Sequence, residues 1–197
     1  MVKHLDVAIL FFIFSLTSAL SAQSVKNSFD SEGKRHGAWR KNFDKTNQPR
    51  YEGEFDHGKE IGLFKFYTLN KGKSVLSATK QFNKENDNAE VKFFSSSGKL
   101  ISEGQMDGKL YIGQWTFYHN KSSAVMSKET YNNSGQLEGE KTVYYPSGQI
   151  AETSHYHNGK LNGQTLTYSE NGQLLNDFQY EDNELQGQLN TMMQTVI

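Results

Sequence analysis

The chain has 197 residues, of which 35% are hydrophobic and 13% aromatic, with 17 Gly, 2 Pro and no Cys. Lys and Arg number 21 against 22 Asp and Glu, a net charge of -1, which supplies neither the phosphate-neutralising surface of a nucleic-acid binder nor a polybasic patch for strong membrane binding. A chain poor in Leu, Ile, Val and Ala but rich in Tyr, Phe, Gly and Thr should bury thin aromatic rows between strands and tight turns, and without Cys it has no disulfide frame or thiolate metal site.

Residues 1–22 have a short basic start at Lys3, an apolar stretch from Val7 to Leu20 and small residues ahead of Gln23, the three-part pattern of a secretory signal peptide. Fourteen helical residues would span roughly 21 Å, short of the ~30 Å hydrocarbon core. The expectation is export to the periplasm, the cell surface or the medium after cleavage near Ala22. Residues 23–32 read as a linker, 33–190 as a repeat domain and 191–197 as a tail.

The repeat is visible by alignment. Segments beginning at Gly37, Gly62, Ala89, Gly113, Gly139, Gly163 and Gly187 are spaced by 25, 27, 24, 26, 24 and 24 residues. Each unit has two alternating runs separated by a turn signal, such as Ser97-Gly98, Ser147-Gly148 or Asn171-Gly172. Units are joined by another, such as His57-Gly58, Asp107-Gly108, Ser134-Gly135 or Asn158-Gly159. These dipeptides supply the positive φ angles of hairpin turns, so each unit is expected to be one β-hairpin. The fold class is therefore all-β, an elongated single-layer antiparallel β-meander of about six hairpin units, each stacking on the next.

Two aromatic rows follow from the alignment. Five residues after each anchor come Tyr67, Phe94, Tyr118, Tyr144 and Tyr168; before the inter-unit turns come Phe55, Phe82, Met106, Tyr131, Tyr156 and Tyr180. These rows are expected to hold the fold, with Tyr111 lying in an inter-unit turn. Positions two and four after each anchor should face away from the fifth. They are apolar in the N-terminal half (Trp39, Phe64, Phe66, Val91, Phe93, Trp115, Phe117) and more polar later (Lys141, Val143, Thr165, Thr167). The N-terminal half thus reads as apolar on both faces, and Trp39, Phe64, Phe66, Trp115 and Phe117 as a candidate exposed patch for a protein partner or a second copy of the chain.

Tyr51-Glu52-Gly53-Glu54-Phe55-Asp56-His57-Gly58-Lys59-Glu60-Ile61-Gly62, with looser copies at His157 to Gly163 and Tyr144 to Ile150, resembles the MORN repeat, specifically the bacterial variant found in exported proteins and in chains labelled YwqK-type antitoxins. The resemblance implies an elongated β-meander used as a scaffold or interaction surface. The third unit departs from the pattern, with Ala89 at the anchor and Asn86-Asp87-Asn88 in place of a glycine turn, and Phe43 to Pro49 forms a longer loop.

Chemistry is hard to find in the residues. His155 and His157 could begin a zinc site, but no neighbouring strand offers an obvious second pair, while His36 and His57 read as polar residues beside turn glycines. No Gly-x-Ser-x-Gly elbow occurs, and Gly72-Lys73-Ser74 lacks the upstream glycine of a phosphate loop. No catalytic residue, metal or cofactor is expected, and the chain reads as a non-enzymatic scaffold. Binding of an envelope glycan is the second reading, although only Trp39 and Trp115 are present to stack sugars; antitoxin-like binding is a third.

Overall fold

The structure, a computed structural model, describes residues 27–188. The segments 1–22 and 191–197, read above as signal peptide and tail, lie outside the described residues. The described chain folds into fourteen strands: β1 (Ser28–Phe29), β2 (Arg35–Asn42), β3 (Pro49–Asp56), β4 (Lys59–Asn70), β5 (Lys73–Phe82), β6 (Asn88–Phe94), β7 (Leu100–Asp107), β8 (Leu110–Tyr118), β9 (Val125–Tyr131), β10 (Gly139–Tyr144), β11 (Ile150–His157), β12 (Lys160–Tyr168), β13 (Leu174–Glu181) and β14 (Glu184–Gln188). They form one antiparallel sheet in strict sequence order from β1 to β14, an open meander. The units are the hairpins β2–β3, β4–β5, β6–β7, β8–β9, β10–β11 and β12–β13. Among the described residues there is no helix, hence none long and apolar enough to cross a membrane.

Turn chemistry accounts for the connections. His57 and Gly58 take φ of 47° and 89°, and Asn158 and Gly159 take 49° and 80°, the left-handed pair that a two-residue hairpin needs. The β5–β6 connection, which lacks glycine, is built by side chains. The Asn83 carboxamide oxygen accepts from the backbone N–H groups of Glu85 and Asn86, its nitrogen donates to Asn88 O, and Asn86 Oδ1 accepts from Asn88 N.

The anchor glycines are bulge residues. Gly62 has φ of 68° and lies where β4 carries extra residues opposite β3, between the pairs Glu52↔Lys65 and Glu54↔Ile61. An alanine resists that conformation, and at Ala89 the pairing of β5 with β6 runs from Phe82↔Ala89 to Ala78↔Phe93 without a shift. A second shift recurs inside the units, between Phe66 and Tyr67, Phe93 and Phe94, Phe117 and Tyr118, Val143 and Tyr144, and Thr167 and Tyr168.

Register then decides which face is the core. Trp39 pairs with Gly53, Gly37 with Phe55, and Tyr51 with Phe66, so positions two and four share a face with the pre-turn row. Two clusters form there. One comprises Trp39, Phe55 and Phe64, with Tyr51, Phe66 and Phe82 against them; the other comprises Ala89, Val91, Met106 and Trp115, with Phe82, Phe93, Tyr111, Phe117 and Tyr131. Phe82 belongs to both.

Three expectations are corrected by this arrangement. The fifth-position row is not the core: Tyr67 and Tyr118 lie on the opposite face beside Lys65, Lys92, Glu52 and Glu103, so the N-terminal half is not apolar on both faces. Tyr111 is a strand residue of β8 whose ring stacks on Trp115 at 3.8 Å and 13°, rather than a turn residue. The described part of residues 23–32 contains β1, which pairs with β2 as Ser28↔His36 and Phe29↔Arg35. Phe29 occupies a pre-turn place ahead of the first unit, edge-on to Trp39 at 5.1 Å, so among the described residues the strand pattern reaches back beyond Gly33.

Candidate functional site

The five residues expected as an exposed aromatic patch are together on one face, but three of them are core. Trp115 is 0% exposed, Phe64 1% and Trp39 9% within the single chain, while Phe66 and Phe117 are half-buried. Two glycines explain how a one-layer sheet shields such large rings. A Cβ on Gly104 would sit 2.5 Å from Trp115 Cδ2, and one on Gly53 would sit 2.5 Å from Phe64 Cγ, so both rings lie flat on bare backbone. From the other side Trp115 is covered by Tyr111, with Phe93 and Phe117 each 6.0 Å away, and its Nε1 donates to Gln105 O at 2.8 Å. Trp39 Nε1 similarly donates to Ser28 O at 2.9 Å. The indole polar atoms are therefore engaged inside the chain.

What remains open on this face is a cleft of about 710 Å³ between the two clusters, lined by Phe66, Ala78, Lys80, Phe82 and Phe93, with Lys59, Glu60, Asp87 and Gly108 at its rim. It has a simple origin. Along the central row of the face, Trp39, Gly53 and Phe64 are followed by Lys80 and Val91 before Gly104 and Trp115 resume, as the pairs Phe64↔Lys80, Lys80↔Val91 and Val91↔Gly104 define. At the next row Phe66↔Ala78↔Phe93 places a methyl between two rings. Small or flexible side chains between aromatic neighbours leave the gap.

The cleft carries one charge of consequence. Lys80 makes no ion pair with another described residue within 4.0 Å, and burial holds its pKa below the ordinary lysine value, against the opposing pull of Glu60. At the rim, Lys59 Nζ is 3.7 Å from Asp87 and donates to Lys84 O at 3.2 Å. The arrangement suits an apolar group held between phenyl rings with a negatively charged group against the Lys80 ammonium. The sequence signal for this site is the irregular third unit, with Ala89 at its anchor and an Asn-rich turn, and it lies beside the aromatic patch read from the sequence.

The C-terminal half of the same face is polar. Glu129 and Lys141 pair at 3.3 Å, Ser154 is completely buried and donates to Glu152 Oε1 at 3.1 Å, and the buried Thr165 hydroxyl has no hydrogen-bond partner among the described residues. On the opposite face, Tyr67 donates to Glu52 Oε1 at 2.6 Å and Tyr118 to Glu103 Oε1 at 2.5 Å. Burial, followed by the Glu52 bond, pushes the Tyr67 pKa up to about 12. The Glu103 bond, followed by burial, takes Tyr118 to about 12. His155 and His157 do not join into one site: His157 Nδ1 is 2.9 Å from Glu138, whereas His155 Nδ1 contacts Gln164 O at 3.1 Å.

An open meander of β-hairpin repeats with a shaped aromatic face defines a repeat-built scaffold. The MORN repeat variant family matches two adjacent segments, residues 137–158 and 161–182, which are MORN-variant repeats. Each covers one hairpin unit: the first β10 and β11, the second most of β12 and all of β13. The same hairpin architecture continues toward the N-terminus. Comparison with curated protein sequences returns no match. Among solved structures, the chain is similar to a mutant of S. aureus TarM in complex with fondaparinux, α-GlcNAc-glycerol and UDP. That similarity has 16% identity and a TM-score of 0.23, and it covers 60% of this chain and 19% of that one. It carries no argument about fold or function.

Proposed function

We propose that the chain is a non-catalytic, repeat-built binding scaffold that holds a segment of a protein partner in the cleft between its second and third units. The observation that carries this reading is the juxtaposition of Phe66, Phe82 and Phe93 with the half-buried Lys80 in a cleft of about 710 Å³. An aromatic or aliphatic side chain fits between the rings, and an adjacent Asp or Glu meets the ammonium, which has no carboxylate of its own within ion-pair distance among the described residues. Charge-assisted contacts made away from water are the stronger ones, so the acidic group supplies selectivity and the rings supply affinity. The buried members of the aromatic face, Trp39, Phe64 and Trp115, then act as the rigid bed beneath the contact rather than as the contact itself. We place this activity outside the cytoplasm, a reading supported by the signal-peptide pattern of residues 1–22 and the absence of Cys.

The test is a fluorescence titration of the purified chain with short peptides containing Asp-Phe or Asp-Leu, beside analogues with Asn for Asp and a panel of envelope glycans. The expected result is saturable binding of the acidic peptides, weakened about tenfold or more by the Asn substitution, by Lys80→Met and by Phe93→Ser. Binding confined to the glycans and abolished by Phe93→Ser would replace the protein-partner reading with the glycan one. Mass spectrometry of the N-terminus of the exported protein tests the location: cleavage near Ala22 is expected, and an intact leader on protein retained in the cytoplasm would refute it.

A further inference from the structure

We propose that His36, Asp56 and His57 form a binding site for a divalent ion of the zinc type, with Asp30 as the positioning residue that orients His57, and that the ion staples the start of β2 to the turn that follows β3. Topology brings the four together. Pairing of Gly37 with Phe55 sets the start of β2 beside the end of β3, and the β1–β2 turn delivers Asp30 to the same corner. The two imidazole rings, read from the sequence as separate turn-flanking residues, lie with centroids 4.8 Å apart.

Asp56 Oδ1 is 3.7 Å from His36 Nδ1 and 3.9 Å from His57 Nε2, and one ligand atom from each residue falls within 4.8 Å of the others. Around a tetrahedral ion with bonds of about 2.0–2.2 Å, ligand atoms are roughly 3.3 Å apart. The three side chains are 43–65% exposed, so small side-chain rotations close the remaining distance without disturbing the core. Among the described residues, the one polar contact of His36 Nδ1 in competition is a long one, 3.4 Å from the His57 backbone N–H. Two imidazoles, one carboxylate and a solvent-facing fourth position make a donor set suited to zinc.

Asp30 is the independent observation that separates this corner from a chance cluster. Its side chain is only 6% exposed; Oδ1 accepts from the N–H groups of Glu32 and Lys34 at 2.9 Å each, while Oδ2 meets His57 Nδ1 at 2.7 Å. A carboxylate on Nδ1 fixes the tautomer that leaves a lone pair on Nε2, the nitrogen facing Asp56, and such outer carboxylates strengthen histidine ligation. The fifth unit provides an internal comparison, because its equivalent corner holds Asn132, Glu138, His157 and Asn158 in place of Asp30, His36, Asp56 and His57. There Asn132 Oδ1 caps the same turn through the N–H groups of Ser134 and Gln136 at 3.0 Å each, and Asn132 Nδ2 bonds Asn158 Oδ1 at 3.2 Å. That corner has a single histidine, and its Glu138 is already engaged by His157 Nδ1 and by the Asn158 backbone N–H at 2.9 Å each, so the turn itself needs one acceptor there and an amide cap. The first unit instead gathers two histidines and two carboxylates, with Asp56 turned toward both imidazoles.

The experiment is calorimetric titration of the full chain with Zn²⁺, together with the visible absorption of the Co²⁺ complex. One equivalent is expected, with the intense bands of tetrahedral Co²⁺, and with a rise in melting temperature that a chelator reverses. Affinity should fall at least tenfold in His36→Ala and in His57→Asn, and 10- to 100-fold in Asp30→Asn, which keeps the turn cap that Asn132 demonstrates. His157→Ala should change nothing. Absence of one-equivalent binding, or binding that survives the His36→Ala/His57→Asn double substitution, overturns the site; unchanged affinity in Asp30→Asn overturns the positioning role.

Discussion

Replacing Gly104 with Ala tests whether the sheet really depends on an indole lying against bare backbone. The new methyl carbon would be 2.5 Å from Trp115 Cδ2 and 2.6 Å from Cε2 and Cγ, so it would point at the ring face rather than at an edge. Ordinary carbon contacts are about 3.5–4.0 Å, so the ring must retreat by roughly 1 Å. Retreat is blocked by Tyr111, stacked 3.8 Å away on the indole, and by the 2.8 Å bond from Nε1 to Gln105 O. Overpacking of this kind costs about 1–3 kcal/mol, and partial loss of the indole bond adds up to about 1 kcal/mol. Stiffening the unfolded chain returns about 0.4–1 kcal/mol. The expected net destabilisation is about 2 kcal/mol by urea denaturation followed through tryptophan fluorescence. Gly187→Ala, whose Cβ meets nothing within 4 Å, should stay within about 0.5 kcal/mol of the parent. In a Trp115→Leu background the Gly104→Ala cost should shrink by at least about 1 kcal/mol. If Gly104→Ala is as stable as the parent, or costs the same with and without the indole, the packing argument is wrong.

Other expectations follow from the same geometry. Tyr111→Ala should destabilise by about 2–4 kcal/mol, more than Tyr118→Phe, which loses one exposed-face hydrogen bond worth about 1 kcal/mol; the reverse order in urea denaturation would put the core on the wrong face. Tyr67 and Tyr118 have folded-state pKa values raised from 10 to about 12, so their stabilisation is complete below pH 10 and is lost as pH rises toward 12; Tyr67→Phe and Tyr118→Phe should each flatten that alkaline fall in melting temperature. Thr165→Val removes a buried hydroxyl that has no partner among the described residues and should stabilise the chain by about 1 kcal/mol in denaturant, whereas a loss would mean that the hydroxyl is satisfied in solution. Fourteen strands at ~4.8 Å spacing give a sheet roughly 60 Å long before twisting, so small-angle scattering should report an elongated particle and a compact globule would exclude the open meander.

The architecture was legible in the sequence because turn chemistry is local. His57-Gly58 and Asn158-Gly159 specify hairpins wherever they occur, and their spacing forces the meander. The choice of core face was not legible, because it depends on how many residues the bulges insert between the pre-turn row and the anchor. Positions two, four and five can be ordered by counting within one strand. Relating Trp39 to Phe55, however, requires the register across β2 and β3, and that register shifts within and between hairpins. Tyr111 was misplaced for the same reason: it precedes the Gly113 bulge, which turns it onto the core face. Burial of Trp115 was equally hidden, since it rests on the absence of a side chain at Gly104 one strand away. The corner of His36 and His57 joins residues that are distant in the chain and adjacent only through pairing of β2 with β3.

The irregular third unit links these observations. An array of identical units would carry the same row of rings from end to end and present no distinctive place for a partner. At Ala89 the anchor glycine is missing, the bulge disappears and β5 pairs with β6 in continuous register. That register puts Lys80 and Val91 in the central row and Ala78 between Phe66 and Phe93. The aromatic surface divides into two clusters that share Phe82, and the cleft opens where they meet. The energetic loss from interrupting the row is confined to one junction, because each hairpin contacts mainly its neighbours. In the proposed function, regular units thus provide stability and the irregular one recognition. Restoring a glycine anchor with Ala89→Gly would test only local backbone freedom. Filling the gap with Ala78→Leu tests the division itself: packing of the two clusters should improve or hold while peptide binding in the cleft is lost. Peptide binding that survives a filled cleft would move the working surface away from the third unit.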